Sequence, residues 1–248
     1  EGCSEEGSDG CREGGRALGC GEEGSRDARR ERRREEGRFV TEGRGRWITL
    51  EGGDGSGKTT QSDLLASWLS ETGHEVVRTR EPGGSEVGQL IRDIVLHHRG
   101  DIAPRAEALL YAADRAHHVA TVVRPALERG DIVLQDRYLD SSVAYQGAGR
   151  VLDATEIRDL SLWAAEGALP DLTVLLDLDP QAARTRLDSA DKPFDRLEAE
   201  KAEFHGRVRD AYLALAAAEP ERFLVIDASS PVDVIAGEIR ARVASFLA

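Results

Sequence analysis

The residues with the plainest chemistry run from Gly52 to Thr60, GGDGSGKTT. Gly52 to Thr59 fits G-x-x-x-x-G-K-[ST], and it stands between a short apolar stretch, Trp47 to Glu51, and an amphipathic one that begins near Gln61. Gly52, Gly53, Gly55 and Gly57 let the backbone curl so that successive N–H groups face one anion, with the positive end of the following helix behind them. Lys58 adds a mobile charge for terminal phosphates, and the Thr59 hydroxyl suits Mg²⁺. The whole loop, with Asp54, Ser56 and Thr60, is therefore a candidate triphosphate site. Lysine occurs only at 58, 192 and 201, so its presence here is specific. Alone, this loop leaves an ATPase, a GTPase switch, a kinase and a nucleotide sensor all open. A GTPase needs an N-K-x-D-like reader of guanine, and the chain contains no asparagine.

The elements that must hold such a loop follow from hydrophobic spacing. Leu64, Leu65, Trp68 and Leu69 predict a helix ending at Thr72-Gly73; Ser85 should cap a second, through Leu90 and Ile94; Pro104 opens a long third. Further helices are expected over about 153–166, from Pro180, over 197–218 and after Pro231. Short continuous apolar runs at 75–79, 131–135, 172–178 and 223–227 read, with 47–51, as five buried strands. Such alternation predicts an α/β fold, a five-stranded parallel sheet with helices on both faces. Ligands of these sheets sit at the carboxyl ends of the strands. The stretches 52–59, 80–84 and 136–146 each follow a strand and should converge there.

Residues 1–46 differ in kind. They hold 12 acids, 11 bases and eleven glycines. That composition predicts a disordered tail ahead of a domain at 47–248. Its basic run RRERRR is nearly cancelled by glutamates, and the rest of the chain has 34 acids against 22 bases. A surface of that sign repels nucleic acid, so cations gathered in a cleft serve a small anion. All three cysteines lie in the tail, at spacings that fit no zinc site. A cysteine-free domain with no signal peptide and no membrane-length apolar run is expected in the cytoplasm. The chain has no methionine at all. Its first residue is therefore expected to reflect gene assignment or the choice of the segment expressed, which N-terminal sequencing of the native protein would check.

TREPGG at 79–84, LLYAADR at 109–115, DRYLDSSVAYQGAGR at 136–150, PDLTVLLDL at 170–178 and DRLE at 195–198 follow in order. Over 47–248 the chain resembles the bacterial thymidylate kinases, nucleoside monophosphate kinases of the phosphate-loop NTPase fold. The resemblance implies transfer of the ATP γ-phosphate to dTMP on the route to dTTP, with Mg²⁺ as cofactor, a short lid at about 188–196 and a homodimer. No nucleic-acid or membrane partner is implied.

By the same resemblance Arg115 reads thymine O4 and Tyr111 stacks on the base; four residues apart on a helix, they share a face. Taken alone, such a pair is more often a core tyrosine and a surface arginine, and the family pattern reverses that. Arg137 is implied as a clamp on the dTMP phosphate with Arg92 as helper. Asp136 is implied to organise Mg²⁺ with Thr59. Glu81 and Pro82 would lie beside sugar and acceptor phosphate, and Ser142, Tyr145 and Gln146 would contact base and deoxyribose. For Ser141 and Ser142, capping of a helix is an equally good reading. Asp54 would approach the transferred phosphate. The catalytic charge of the lid falls to Arg186, Lys192 or Arg196, because the loop has Gly55 where some relatives place arginine. Two rivals remain: a kinase for another nucleoside monophosphate or a deoxynucleoside, and an inactive nucleotide-binding regulator.

Overall fold

The computed structural model describes residues 44–150, 152–189 and 195–247. The expected tail, through residue 43, and five residues of the expected lid, among them Lys192, lie outside the described residues. At Gly45 the chain already engages the fold, its N–H donating to Leu127 O at 2.9 Å.

Five parallel strands form one sheet in the order β2-β3-β1-β4-β5: β1 Trp47–Glu51, β2 Val76–Arg80, β3 Ile132–Asp136, β4 Leu172–Asp177 and β5 Phe223–Asp227. After β1 the chain builds one side of the sheet, then crosses to build the other, so β1 stands at the centre with its carboxyl end open. All five residues of β1 are buried, as the middle strand of a covered sheet requires. They still alternate. Ile48 and Leu50 join Leu65, Leu69, Val174, Ile226 and Ile239 in one core layer, while Trp47 packs with Val133, Tyr138 and Leu139 on the other face. Glu51, two and four places beyond Thr49 and Trp47, points to that second face, an unusual place for a carboxylate.

The helices are α1 Lys58–Glu71, α2 Glu86–His97, α3 Pro104–His118, α4 Arg124–Glu128, α5 Leu139–Ser142, α6 Ala154–Ala164, α7 Pro180–Asp188, α8 Ala202–Ala218 and α9 Val232–Leu247. Ser85 caps α2 as expected, accepting from Gly88 N at 3.0 Å. Strands β2 and β3 each run one residue later than the apolar runs suggested, because main-chain pairing of Arg80 with Asp136 carries both strands into polar residues. The helix expected from 197 begins only at Ala202; Asp195 Oδ1 instead caps a turn, accepting from Leu197 N and Glu198 N.

Two π-helical segments, Val119–Val123 between α3 and α4 and Val143–Gly149 after α5, were not legible in the sequence. In the second, Arg150 N reaches back five residues to Tyr145 O at 3.0 Å, and Leu152 N does the same to Gly147 O. Wide turns of this kind gather at functional sites. Among the described residues, no helix is long and apolar enough to cross a membrane.

Candidate active site

At the carboxyl ends of β1, β2 and β3 lies a cleft of about 520 Å³. Its phosphate end is the β1–α1 loop. Gly57, at φ 95°, caps α1 without any side-chain hydrogen bond, which leaves the first-turn N–H groups to an anion. Gly52 is required sterically as well: a Cβ there would stand 2.5 Å from Leu176 O. Lys58 curls onto the loop, Nζ donating to Gly52 O at 3.1 Å and Gly53 O at 2.8 Å. Burial and the neighbouring Arg137 charge lower its pKa. Asp54, Gly55, Gly57, Lys58 and Thr59 line the cleft. Gly52 and Gly53 border a small cavity of about 50 Å³ behind the loop. The Ser56 hydroxyl is buried without a partner, and Thr60 is exposed outside the cleft lining.

Arg137 sits opposite, at φ 66°, a left-handed conformation that an arginine adopts only when neighbours enforce it. They do so on every side. Its N–H donates to Leu50 O at 3.0 Å, its carbonyl accepts from Gln135 Nε2 at 2.9 Å, and the next N–H, of Tyr138, donates to Glu51 Oε1 at 2.7 Å. Trp47 Nε1 in turn fixes Gln135 by donating to its Oε1 at 3.0 Å.

The guanidinium donates to Asp54 Oδ1 at 2.6 Å, to Ser141 Oγ at 3.2 Å, and to the Tyr145 and Tyr212 hydroxyls at 3.3 Å. Burial alone would raise the Asp54 pKa, but Arg137 and Lys58 outweigh it and hold the carboxyl at about 2. Glu51 goes the other way. Burial and the Asp140 charge push it up to about 7, although Ser141 and Tyr212 both donate to its Oε2, at 2.6 and 2.8 Å. Glu51 and Tyr212 escaped the sequence reading. No local pattern marks a glutamate that ends an apolar strand, or a tyrosine on a helix 161 residues away.

Another wall of the cleft is built on one stripe of α3, from which Tyr111 and Arg115 reach the lining. Glu107, Tyr111 and Arg115 succeed one another at four-residue spacing, and all three are buried. Arg115 Nε donates to Glu81 Oε2 at 3.0 Å, and its terminal nitrogens donate to Ser161 Oγ and Ser142 Oγ at 2.9 and 3.0 Å. Glu81 Oε1 receives His118 Nδ1 at 2.9 Å, so both of its oxygens are committed to holding this wall. Ser142 and Ser141 thus bind side chains of the site, and the capping alternative falls: α5 starts at Tyr138 with no side-chain cap. Glu81, Pro82, Arg92, Tyr111, Arg115, Ser142, Tyr145 and Gln146 all line the cleft. Arg92 is tied there by a 2.9 Å bond to Pro82 O.

Of the three cations expected to supply the lid's charge, Lys192 lies outside the described residues, and Arg186, on α7, lines the cleft and donates to Ala228 O at 2.9 Å. Arg196 is outside the lining, engaged with Glu107 and with Val95 O. Asp136 reaches the cleft beside Thr59, and its Oδ1 is buried with no hydrogen-bond partner. An unclaimed buried acceptor next to a hydroxyl fits a hard cation carried in with phosphates.

Comparison with known proteins gives the family of the chain. Residues 50–239 match the family model described as Thymidylate kinase. A thymidylate kinase of Clavibacter sepedonicus is 79% identical over 198 residues, covering 80% of this chain and 94% of that protein. One from Leifsonia xyli is 76% identical, with the same coverage of 80% and 94%. The crystal structure of thymidylate kinase from Ehrlichia chaffeensis is 33% identical with a TM-score of 0.66, over 80% of this chain and 98% of that one. With its five-stranded parallel sheet of the phosphate-loop NTPase type, the chain belongs to the thymidylate kinase family.

Proposed function

We propose that the chain transfers the γ-phosphate of Mg-ATP to dTMP, giving dTDP and ADP. The observation that carries this is convergence: the β1 loop, Arg137 and the Tyr111–Arg115–Gln146 wall line one cleft. The loop N–H groups and Lys58 bind the triphosphate, and Arg137, with Arg92 beside it, receives the acceptor phosphate. Tyr111 stacks on the base, Arg115 donates to a carbonyl at its edge, and Tyr145 crowds the place of a 2′-hydroxyl. The acceptor oxygen is already anionic, so the residues position and neutralise rather than abstract a proton. Arg137 exchanges Asp54 for phosphate, and Arg186 supplies charge to the transferred group. Thr59 and Asp136 are the residues to hold Mg²⁺, which when bound neutralises charge on the phosphates.

Assembly as a homodimer belongs to the same proposal. Val87, Leu90 and Ile94 of α2, Leu109 of α3 and Trp163 of α6 are exposed apolar side chains on neighbouring helices, Leu90 at 67% and Trp163 at 77%. The acidic surface and lack of a spanning helix among the described residues suit a cytoplasmic enzyme with small anionic substrates. The test is ADP release with Mg-ATP and each of dTMP, dUMP, dCMP, dGMP and AMP. Strong preference for dTMP is expected; equal release with every acceptor, or with none, overturns the reading.

A further inference from the structure

Glu107 is wholly buried, where a carboxylate persists only if its oxygens are taken up. Oε1 accepts from Gln146 Nε2 at 2.9 Å and from Arg150 Nε at 3.4 Å, and Oε2 accepts from Arg196. Both oxygens therefore face donors, the two arginines and the Gln146 amide. An acceptor can face only the nitrogen end of an amide. Turning the Gln146 amide over would set two oxygens against each other in a buried site and forfeit the bond. Gln146 also lines the cleft with Tyr111. With its nitrogen committed, its oxygen is the atom offered to a ligand.

We infer that Glu107 is a specificity-determining positioning residue, which selects the base by fixing which end of the Gln146 amide meets it. This rests on the reading of the cleft as a dTMP site. An amide oxygen accepts the N3–H of thymine or uracil. Cytosine carries a lone pair at N3 and would meet the oxygen with no proton between them. Arg115 can discriminate at the 4-position; Glu107, through Gln146, discriminates independently at N3.

The test compares kcat/KM for dTMP, dUMP and dCMP between the full wild-type chain and Glu107→Gln. A glutamine at 107 presents either oxygen or nitrogen, so the Gln146 amide is freed to turn. The dTMP-to-dCMP ratio should fall at least tenfold, while the dTMP-to-dUMP ratio, which reads the methyl group, and the KM for ATP stay within twofold. A purely structural role would lower all acceptors alike, and that outcome, or an unchanged dCMP ratio in a folded variant, overturns the inference. Wild-type turnover of dTMP is scored separately, so its failure marks the functional reading and not this one. Should Glu107→Gln lose its cooperative melt, wild-type protein labelled with ¹⁵N-glutamine decides. The side-chain N–H signals of Gln146, identified by their loss in Gln146→Leu, should exchange slowly before and after dTMP is added; fast exchange overturns the proposal.

Discussion

Replacing Glu51 by glutamine tests whether a buried carboxylate holds Arg137 in its strained conformation. Three donors converge on Glu51: Tyr138 N–H at 2.7 Å, Ser141 Oγ at 2.6 Å and Tyr212 OH at 2.8 Å. Glutamine keeps the shape and one acceptor oxygen. With that oxygen on Tyr138 N–H, the amide nitrogen faces the two hydroxyls, which must turn round and present their oxygens. Exchanging charge-assisted bonds for neutral ones costs about 1–2 kcal/mol, or roughly 5- to 30-fold in the KM for dTMP if it all reaches Arg137. The KM for ATP should not follow.

The same substitution has a signature in pH. The Glu51 pKa rises from 4.5 to about 7 on folding, through burial and the Asp140 charge. A raised acid pKa means that the folded state holds the proton more tightly, so its contribution is complete below pH 4.5 and is lost as pH rises through about 7. Between pH 5 and pH 8 the wild type should lose about 2–3 kcal/mol relative to Glu51→Gln, whose side chain does not titrate. Urea melts of both proteins at the two pH values, with ADP-release kinetics at pH 7.5, measure both effects. Parallel stability profiles together with an unchanged KM for dTMP would refute the reasoning.

Other perturbations reach different parts of the site. Arg137→Lys keeps the charge but loses the planar fork that spans Asp54, Ser141 and Tyr145, so the KM for dTMP should rise about 10- to 100-fold while calorimetric ATP affinity holds within about twofold. Gly52→Ala places a methyl 2.5 Å from Leu176 O at φ 134°, and should lower stability by more than ~2 kcal/mol in a denaturant melt and abolish ATP binding. Arg186→Ala should cut kcat by about 10²-fold with the melting curve unmoved, whereas Arg196→Ala, which strips a partner from buried Glu107, should lower the melting temperature. Leu90→Glu should turn a dimer into a monomer by sedimentation, and a variant that still sediments as a dimer would place the interface elsewhere.

The sequence by itself determined the β1 loop, the parallel sheet and the convergence of three motifs on one edge. These are local matters: glycines where the chain must curl, apolar runs of strand length, and a four-residue spacing that puts Tyr111 and Arg115 on one helix face. Glu107 could have been found by the same spacing, one turn before Tyr111. The tertiary structure alone decided how the cations are used. Arg186, just before the polar segment, and Arg196, at its end, look alike in the sequence, yet one lines the cleft and the other is taken up by Glu107, because their partners come from β5's exit and from α3. In the same way, Arg137 is set by Leu50, Gln135, Glu51 and Tyr212, residues scattered over 162 positions that meet only when the strands pair and α8 packs over them. A side chain's charge is written in the chain. Whether that charge meets a ligand or a buried neighbour depends on what packing brings within 3 Å of it.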